Sequence, residues 1–214
     1  LVDAKSRLIP YDYGNFAFIW DSNEHIEPPK SLEDLTRPEY KKKVIIMDPR
    51  TSSPGLGLLA WTQAIYGDQW QDYWKRLALS ILAMTPGWDT GYGLFTKGEA
   101  PLVLSYSTSP AYHKAYEKSE RYKTLVFEQG HPLEIELAGV LANSKKRKAA
   151  EKFLDFLLTQ EAQSILPETQ WMFPANGSVK LPTSFDVVPK NIKSLPSPAL
   201  KDIQSDPERA VDAV

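Results

Sequence analysis

Short continuous apolar runs alternate with helical stripes along this chain, and the first such pairing is the most informative. Val44-Ile45-Ile46-Met47 predicts a buried strand. The stretch Asp48 to Gly67, DPRTSSPGLGLLAWTQAIYG, then predicts a hydroxyl-rich turn and an apolar helix through Leu58, Ala60, Trp61 and Ile65. Ser53 is the expected N-cap, and Pro54 suits the first helical turn because it has no N–H to leave unpaired. A strand, a hydroxyl turn and a helix start together aim free N–H groups and hydroxyls at one spot. That arrangement suits a phosphate or carboxylate, and it equally describes an ordinary capped helix.

The same pattern recurs. Leu102-Val103-Leu104 predicts a strand, Ser105 to Ser109 is rich in hydroxyls, and Ser109-Pro110 opens a helix through Tyr116. Two such units predict adjacent parallel strands whose carboxyl ends face one crevice, where open α/β sheets bind ligands. Phe16 to Trp20 and Leu133 to Leu141 predict further strands. Ser31-Leu32-Glu33-Asp34 opens a short helix with an acidic first turn. Asp68 is the expected cap of a helix whose apolar face uses Trp70, Tyr73, Trp74, Leu77 and Ile81. Thr85 to Asp89 predicts a turn before a short helix near Tyr92 to Thr96. After Ser144, the stripe Ala150, Phe153, Leu154, Leu157 and Leu158 predicts an amphipathic helix. Thr159 then caps a continuation that Pro167 ends. The remainder is Pro-rich, with a last short helix expected from Asp206-Pro207.

Composition narrows the function. The 214 residues carry a formal net charge of -2 without a long basic run, which argues against a nucleic-acid groove or a polybasic membrane contact. Lys145 to Lys148 fits the solvated start of a helix. The absence of cysteine excludes disulfides, thiolate nucleophiles and Cys-based zinc sites. No apolar run approaches membrane-spanning length. The chain opens without Met on LVDAKSRLIPYDYGNFAFIWD, which has the character of mid-domain sequence. The expectation is that an N-terminal part lies outside it.

Enzyme signatures are missing. The sequence has no G-x-S-x-G elbow, no phosphate loop ending in Gly-Lys-Ser/Thr and no H-E-x-x-H pair. His25, His113 and His131 are scattered, and Asp48 with Arg50 is expected to brace the turn after the first strand. Aromatics are more telling, because Trp88, Tyr106, Tyr112 and Trp171 fall at turns or helix starts beside Gly, Ser or Pro. Such rings stack on a flat heterocycle or hold a cation against the ring face, at ~0.5–2 kcal/mol each. The alternative for any one of them is packing beneath a loop.

DPRTSSPGLGLL, GWDTGYGLFTKGE, LSYSTSPAYH and WMFP, preceded by PYDYGNFAFIWD, closely resemble segments of the thiamine-binding periplasmic proteins. These are the substrate-binding subunits of bacterial thiamine ABC transporters. The similarity runs from about residue 10 to about residue 185. It implies an α/β chain of the type II periplasmic binding-protein fold, with two lobes, the first incomplete here. The implied division is 15–139 for the second lobe and 1–14 with 140–214 for the rest of the first, with hinge crossings at Tyr13-Gly14 and Ala138-Gly139.

The resemblance also implies that Trp88, Tyr106, Tyr112 and Trp171 line a thiamine pocket. Ser52, flanked by Thr51 and Ser53, would receive the phosphate of thiamine monophosphate or diphosphate. It further implies a non-enzymatic periplasmic receptor, expected to be a monomer without cofactor or metal. The receptor would deliver its ligand to the membrane permease of an ABC transporter. A ferric-ion or polyamine-type binder of the same fold is the alternative.

Overall fold

The computed structural model describes residues 8–195, so the expected helix at Asp206-Pro207 lies outside the described residues. One long strand organises them. β1 (Leu8–Asp21) pairs along its first half with β6 (Leu133–Gly139) and with the short β7 (Phe173–Pro174), all antiparallel. From Phe16 onward it pairs instead with β4 (Leu102–Tyr106) and β5 (Tyr122–Thr124). β4 then continues the sheet to β2 (Val44–Met47) and β3 (Ile81–Thr85), giving the order β3-β2-β4-β1-β5.

β2 lies parallel to β4, as the repeated strand–turn–helix pattern predicts, and also to β3, which that pattern does not include. Every residue of β2 is buried, which is why it is a plain apolar run without alternation. The helices that follow these strands cover the sheet: α1 (Ser53–Tyr66), α2 (Trp70–Leu77), α3 (Trp88–Thr96) and α4 (Pro110–Tyr116). α1 buries residues on most of its circumference, Trp61 among them, so it has no polar stripe of its own. Its ring packs with Phe18, Phe127 and His131. His131 is fully buried, its Nε2 accepting from the Phe127 N–H and its Nδ1 lying 2.8 Å from the Phe16 carbonyl. Burial pushes that imidazole below its usual range, which suits the neutral ring these bonds require.

Several boundaries differ from the sequence expectation. The N-cap of α1 is Ser52, with extended backbone, and Ser53 is already the first helical residue. α2 is preceded by Gln69, because Asp68 falls within a 3-10 turn at Gly67–Gln69. Tyr73, Trp74 and Leu77 are buried as expected, but Ile81 begins β3 and does not extend the helix. α3 starts at Trp88, four residues before the expected Tyr92.

Beyond β6 come α5 (Arg147–Leu157), α6 (Gln160–Gln163) and α7 (Leu166–Thr169). The Thr159 hydroxyl caps α6 by accepting from the Ala162 N–H, as expected. Pro167 does not end this run, since it sits in the first turn of α7, where its ring costs no hydrogen bond. The amphipathic stripe of α5 is present, yet no residue of that helix is buried, and Phe153 is 60% exposed. The two expected hinge crossings both lie on the β1–β6 ribbon, but not opposite one another. Gly14 faces Glu134, whereas Ala138 faces Ile9.

The approach of α1 to β2 is set by Gly55. A Cβ there would stand 2.4 Å from the Met47 carbonyl oxygen and 2.7 Å from that of Asp48, both backbone atoms that cannot swing aside. Gly55→Ala is therefore expected to cost about 1–3 kcal/mol by forcing the helix off the strand end. Gly93, mid-helix in α3 with open space at its Cβ position, gives the contrast: Gly93→Ala should stabilise by about 0.5–1 kcal/mol. Urea unfolding of both variants checks this, and equal midpoints would contradict the close packing of Gly55.

Candidate functional site

Beyond the carboxyl ends of β3 and β4 lies a cleft of about 620 Å³, with a lining that includes Trp88, Tyr92, Tyr106, Tyr112, His113 and Trp171. Its aromatic walls come from three separated segments: the start of α3, the β4–α4 turn and the residue before Met172. Trp88, Tyr106, Tyr112 and Trp171, singled out in the sequence, all line it.

Each ring is held by identifiable bonds. The Trp88 indole N–H donates to Ser105 Oγ at 2.7 Å, and Ser105 Oγ lies 2.8 Å from Ser109 Oγ. The Tyr106 N–H reaches Ser109 Oγ at 3.3 Å. The hydroxyls at Ser105 and Ser109 are thus buried and hold Trp88 and the Tyr106 backbone in place, and Ser109 also lines the cleft. Trp88 stacks on Tyr92 with centroids 4.7 Å apart and planes 19° from parallel. Below it, Tyr92 Oη meets His113 Nε2 at 3.0 Å, and His113 Nδ1 meets Glu117 Oε2 at 2.8 Å. Burial raises the Tyr92 phenol well above its usual range, so it stays protonated and stiffens the floor beneath Trp88.

Tyr106 stacks at a tilt on Phe16, with centroids 5.2 Å apart. Burial raises its phenol too, and the carboxylates of Glu134, Glu136 and Asp12 add to the shift. Across the cleft, Trp171 meets Tyr112 edge to face at 5.4 Å and Tyr116 at 5.7 Å. Its φ is 57°, the left-handed region, directly after the C-cap of α7. Glycine is the usual residue at such a position, and a bulky one costs on the order of 1–3 kcal/mol. The neighbouring side chains Phe173, Phe185, Val188 and Ala111 form a small second core that holds this turn against α4.

The hydroxyl turn occupies a different place. Thr51, Ser52 and Ser53 are not among the residues lining the cleft. Thr51 Oγ1 donates to the Pro86 carbonyl at 2.7 Å, which ties the turn to the residues just before Trp88. Ser52 is half-buried and its side chain makes no capping bond, so its Oγ is not committed to the α1 N-terminus. Asp48 and Arg50 brace the turn, with Arg50 Nε and Nη2 both donating to the Asp48 carboxylate. That pairing holds Asp48 below its usual range.

Tyr92, His113, Asp89 and Glu117 were not among the expected site residues. Tyr92 and His113 are 21 residues apart in sequence and meet only because α3 and α4 lie side by side. Glu117 follows His113 at the i,i+4 spacing of helix neighbours, which was the one visible signal. His113 thus belongs to the cleft and not to a remote face. Among the described residues, no group of three or more His, Asp or Glu side chains is placed to hold a metal ion.

Residues 1–197 match the family model of the bacterial extracellular solute-binding proteins. A thiamine-binding periplasmic protein of Brucella abortus is 49% identical over 189 residues, covering 88% of this chain and 57% of that relative. The chain therefore spans little more than half the length of the curated relatives it matches. A solved periplasmic thiamin binding protein superposes with a TM-score of 0.91 at 40% identity, over 97% of this chain and 65% of that one. The ferric binding protein from Campylobacter jejuni shares the fold, with a TM-score of 0.80 at 20% identity over 100% and 71% of the two chains. These neighbours are type II periplasmic binding proteins, and the mixed sheet with helices on its parallel strands is part of that fold. By sequence and by fold, this chain belongs to the bacterial extracellular solute-binding proteins.

Proposed function

We propose that this chain forms the greater part of a periplasmic receptor that binds thiamine, thiamine monophosphate and thiamine diphosphate and delivers them to the permease of an ABC transporter. The observation that carries this reading is the convergence of Trp88, Tyr106, Tyr112 and Trp171, from distant points in sequence, on one cleft. Thiamine is a flat aminopyrimidine joined to a thiazolium cation with a hydroxyl or phosphate tail. Stacked indoles and phenols suit both rings, and the cation gains a further attraction to their faces. The relatives named as thiamine-binding support the same assignment.

In this reading Trp88 and Tyr92 supply a stacking floor, while Trp171, Tyr112 and Tyr106 supply the opposing walls. Ser52, at the N-terminus of α1, takes the phosphate tail, aided by the backbone N–H groups and dipole of that helix. Thr51 and Ser53 flank it. The β1–β6 ribbon, carrying Tyr13-Gly14 and Ala138-Gly139, serves as the hinge on which two lobes close over the ligand. Closure makes contacts that neither lobe offers alone, so the ligand shifts an open–closed equilibrium. The role is binding and transfer, with no catalytic step.

A ferric reading asks the cleft phenols to ionise. Burial instead raises both Tyr92 and Tyr106, which opposes phenolate ligation.

Trp88→Ala and Trp171→Ala are each expected to weaken thiamine binding by about 1–2 kcal/mol, roughly five- to thirty-fold. Titration calorimetry on this chain and on one of the relatives' full length measures this. Unchanged affinity in both variants would remove the cleft from the ligand. Ser52→Ala should weaken the mono- and diphosphate by about 1.5–3 kcal/mol, the size of a hydrogen bond to a charged group, and leave free thiamine unaltered. An equal loss for all three ligands would place the phosphate elsewhere.

A further inference from the structure

Three carboxylates share one face of the β1–β6 ribbon. Asp12 stands directly opposite Glu136, and Glu134 opposite Gly14, so the acidic side chains project to the same side. The Cβ direction of Gly14 shows where that face looks: Met172 Sδ and Cε lie 3.0 Å away and Tyr106 Cδ1 3.9 Å. Tyr106 and Met172 therefore form the partition between this acidic face and the aromatic cleft. Thr108, which lines the cleft, reaches Met172 Sδ at 3.9 Å from the other side.

Asp12 is fully buried, and among the described residues neither carboxylate oxygen has a hydrogen-bond partner. The charges acting on it are Glu136 and Glu134, both of its own sign. From β1, the Tyr11 hydroxyl donates to Glu136 Oε2, and from β4 comes the Tyr106 phenol. β7 contributes Phe173 and Pro174, and α6 contributes Gln163, whose amide donates to the Tyr11 carbonyl. None of these described groups neutralises the cluster. Like charges placed directly opposite across a strand pair are destabilising, and a buried carboxylate without a partner costs several kcal/mol more. An arrangement so unfavourable by itself calls for a positive charge nearby.

We propose that Asp12, Glu134 and Glu136 are the charge-selecting element of the ligand site, acting across Tyr106 on the cationic ring of the bound molecule. The inference rests on the thiamine reading and deepens it: the aromatic walls recognise shape, and the acidic face recognises charge. Without ligand the cluster relieves its repulsion by keeping a proton, since burial and then Glu136 and Glu134 push Asp12 up to about 7. Glu134 is raised in the same way. A cation in the cleft favours the ionised forms of Asp12 and Glu134, lowers their pKa and expels that proton. Affinity for a cation consequently rises as pH rises through about 7, and binding releases protons to the buffer.

Calorimetry between pH 6 and 8.5, in buffers of different ionisation enthalpy, tests this with two probes. One is thiamine, and the other is its uncharged analogue in which carbon replaces the thiazolium nitrogen. The native protein should bind thiamine several-fold tighter at pH 8.5 than at pH 6, with proton release, and show neither effect with the uncharged analogue. Glu134→Gln and Glu136→Gln, at half-buried positions, should each weaken thiamine by up to about tenfold while leaving the analogue within about twofold. Asp12→Asn should abolish most of the pH dependence, and the two glutamine variants stand in for it if it does not fold. Should the native protein bind thiamine with the same charged-to-uncharged preference as the glutamine variants and without proton release, the acidic face has no part in selection. Should it bind no thiamine at any pH, the functional reading falls first and this inference with it.

Discussion

Backbone hydrogen bonding along β1 is the constraint from which the site follows. A buried strand must pair nearly every N–H and C=O, and this one does so with two different sets of neighbours. Up to Asn15 its partners are β6 and β7, and from Phe16 they are β4 and β5. That exchange brings the crossing ribbon and the core sheet together at one point. Phe16, the first residue beyond the exchange, carries Tyr106 on its ring, and the residues just before it carry the acidic face. The cleft lies where the strand changes partners because both structures end there.

Much of the sheet was legible because fully buried parallel strands leave a plain trace. β2 and β4 with their following helices appear in the sequence almost at their true limits. β3 did not, for a physical reason: Ile81 continues the three- and four-residue spacing of Trp74 and Leu77, so an edge strand passes for another helical turn. Its own alternation of half-buried and exposed residues is weak and only five residues long. The start of α3 was hidden by Thr85-Pro86-Gly87 and by two glycines inside the helix, which lower its local propensity. α5 was legible as a helix, but its stripe says only that it is amphipathic, not what packs on it.

The cleft was half legible. Rings at turns stand out because an indole beside Gly or Pro has no helical face to bury. What escaped was everything that depends on register or on packing between helices. Tyr92 with His113 is such a case, as is the diversion of Ser105 and Ser109 to Trp88. Nothing in the sequence alone marks Asp12, Glu134 and Glu136 as a group. Only the pairing of Asp12 with Glu136, and of Gly14 with Glu134, brings these three acids onto one face against Tyr106.

Aromatic stacking and carboxylate repulsion then divide the work of recognition in this proposal. Ring faces attract cations but accept neutral heterocycles almost as well, because most of their energy is area and dispersion. A buried negative cluster behaves differently: it does little for a neutral molecule and strongly favours a positive one, particularly where Tyr106 and Met172 keep water out of the gap. The cluster is costly to the empty protein, and Gly14 lets the end of Met172 approach the ribbon beside it, 3.0 Å from where a Cβ would stand. The hinge proposed for this ribbon is also a suitable place for such strain. The charge is least compensated when the cleft is open and best compensated when a cation is enclosed, so the same repulsion that penalises the empty state favours the closed one.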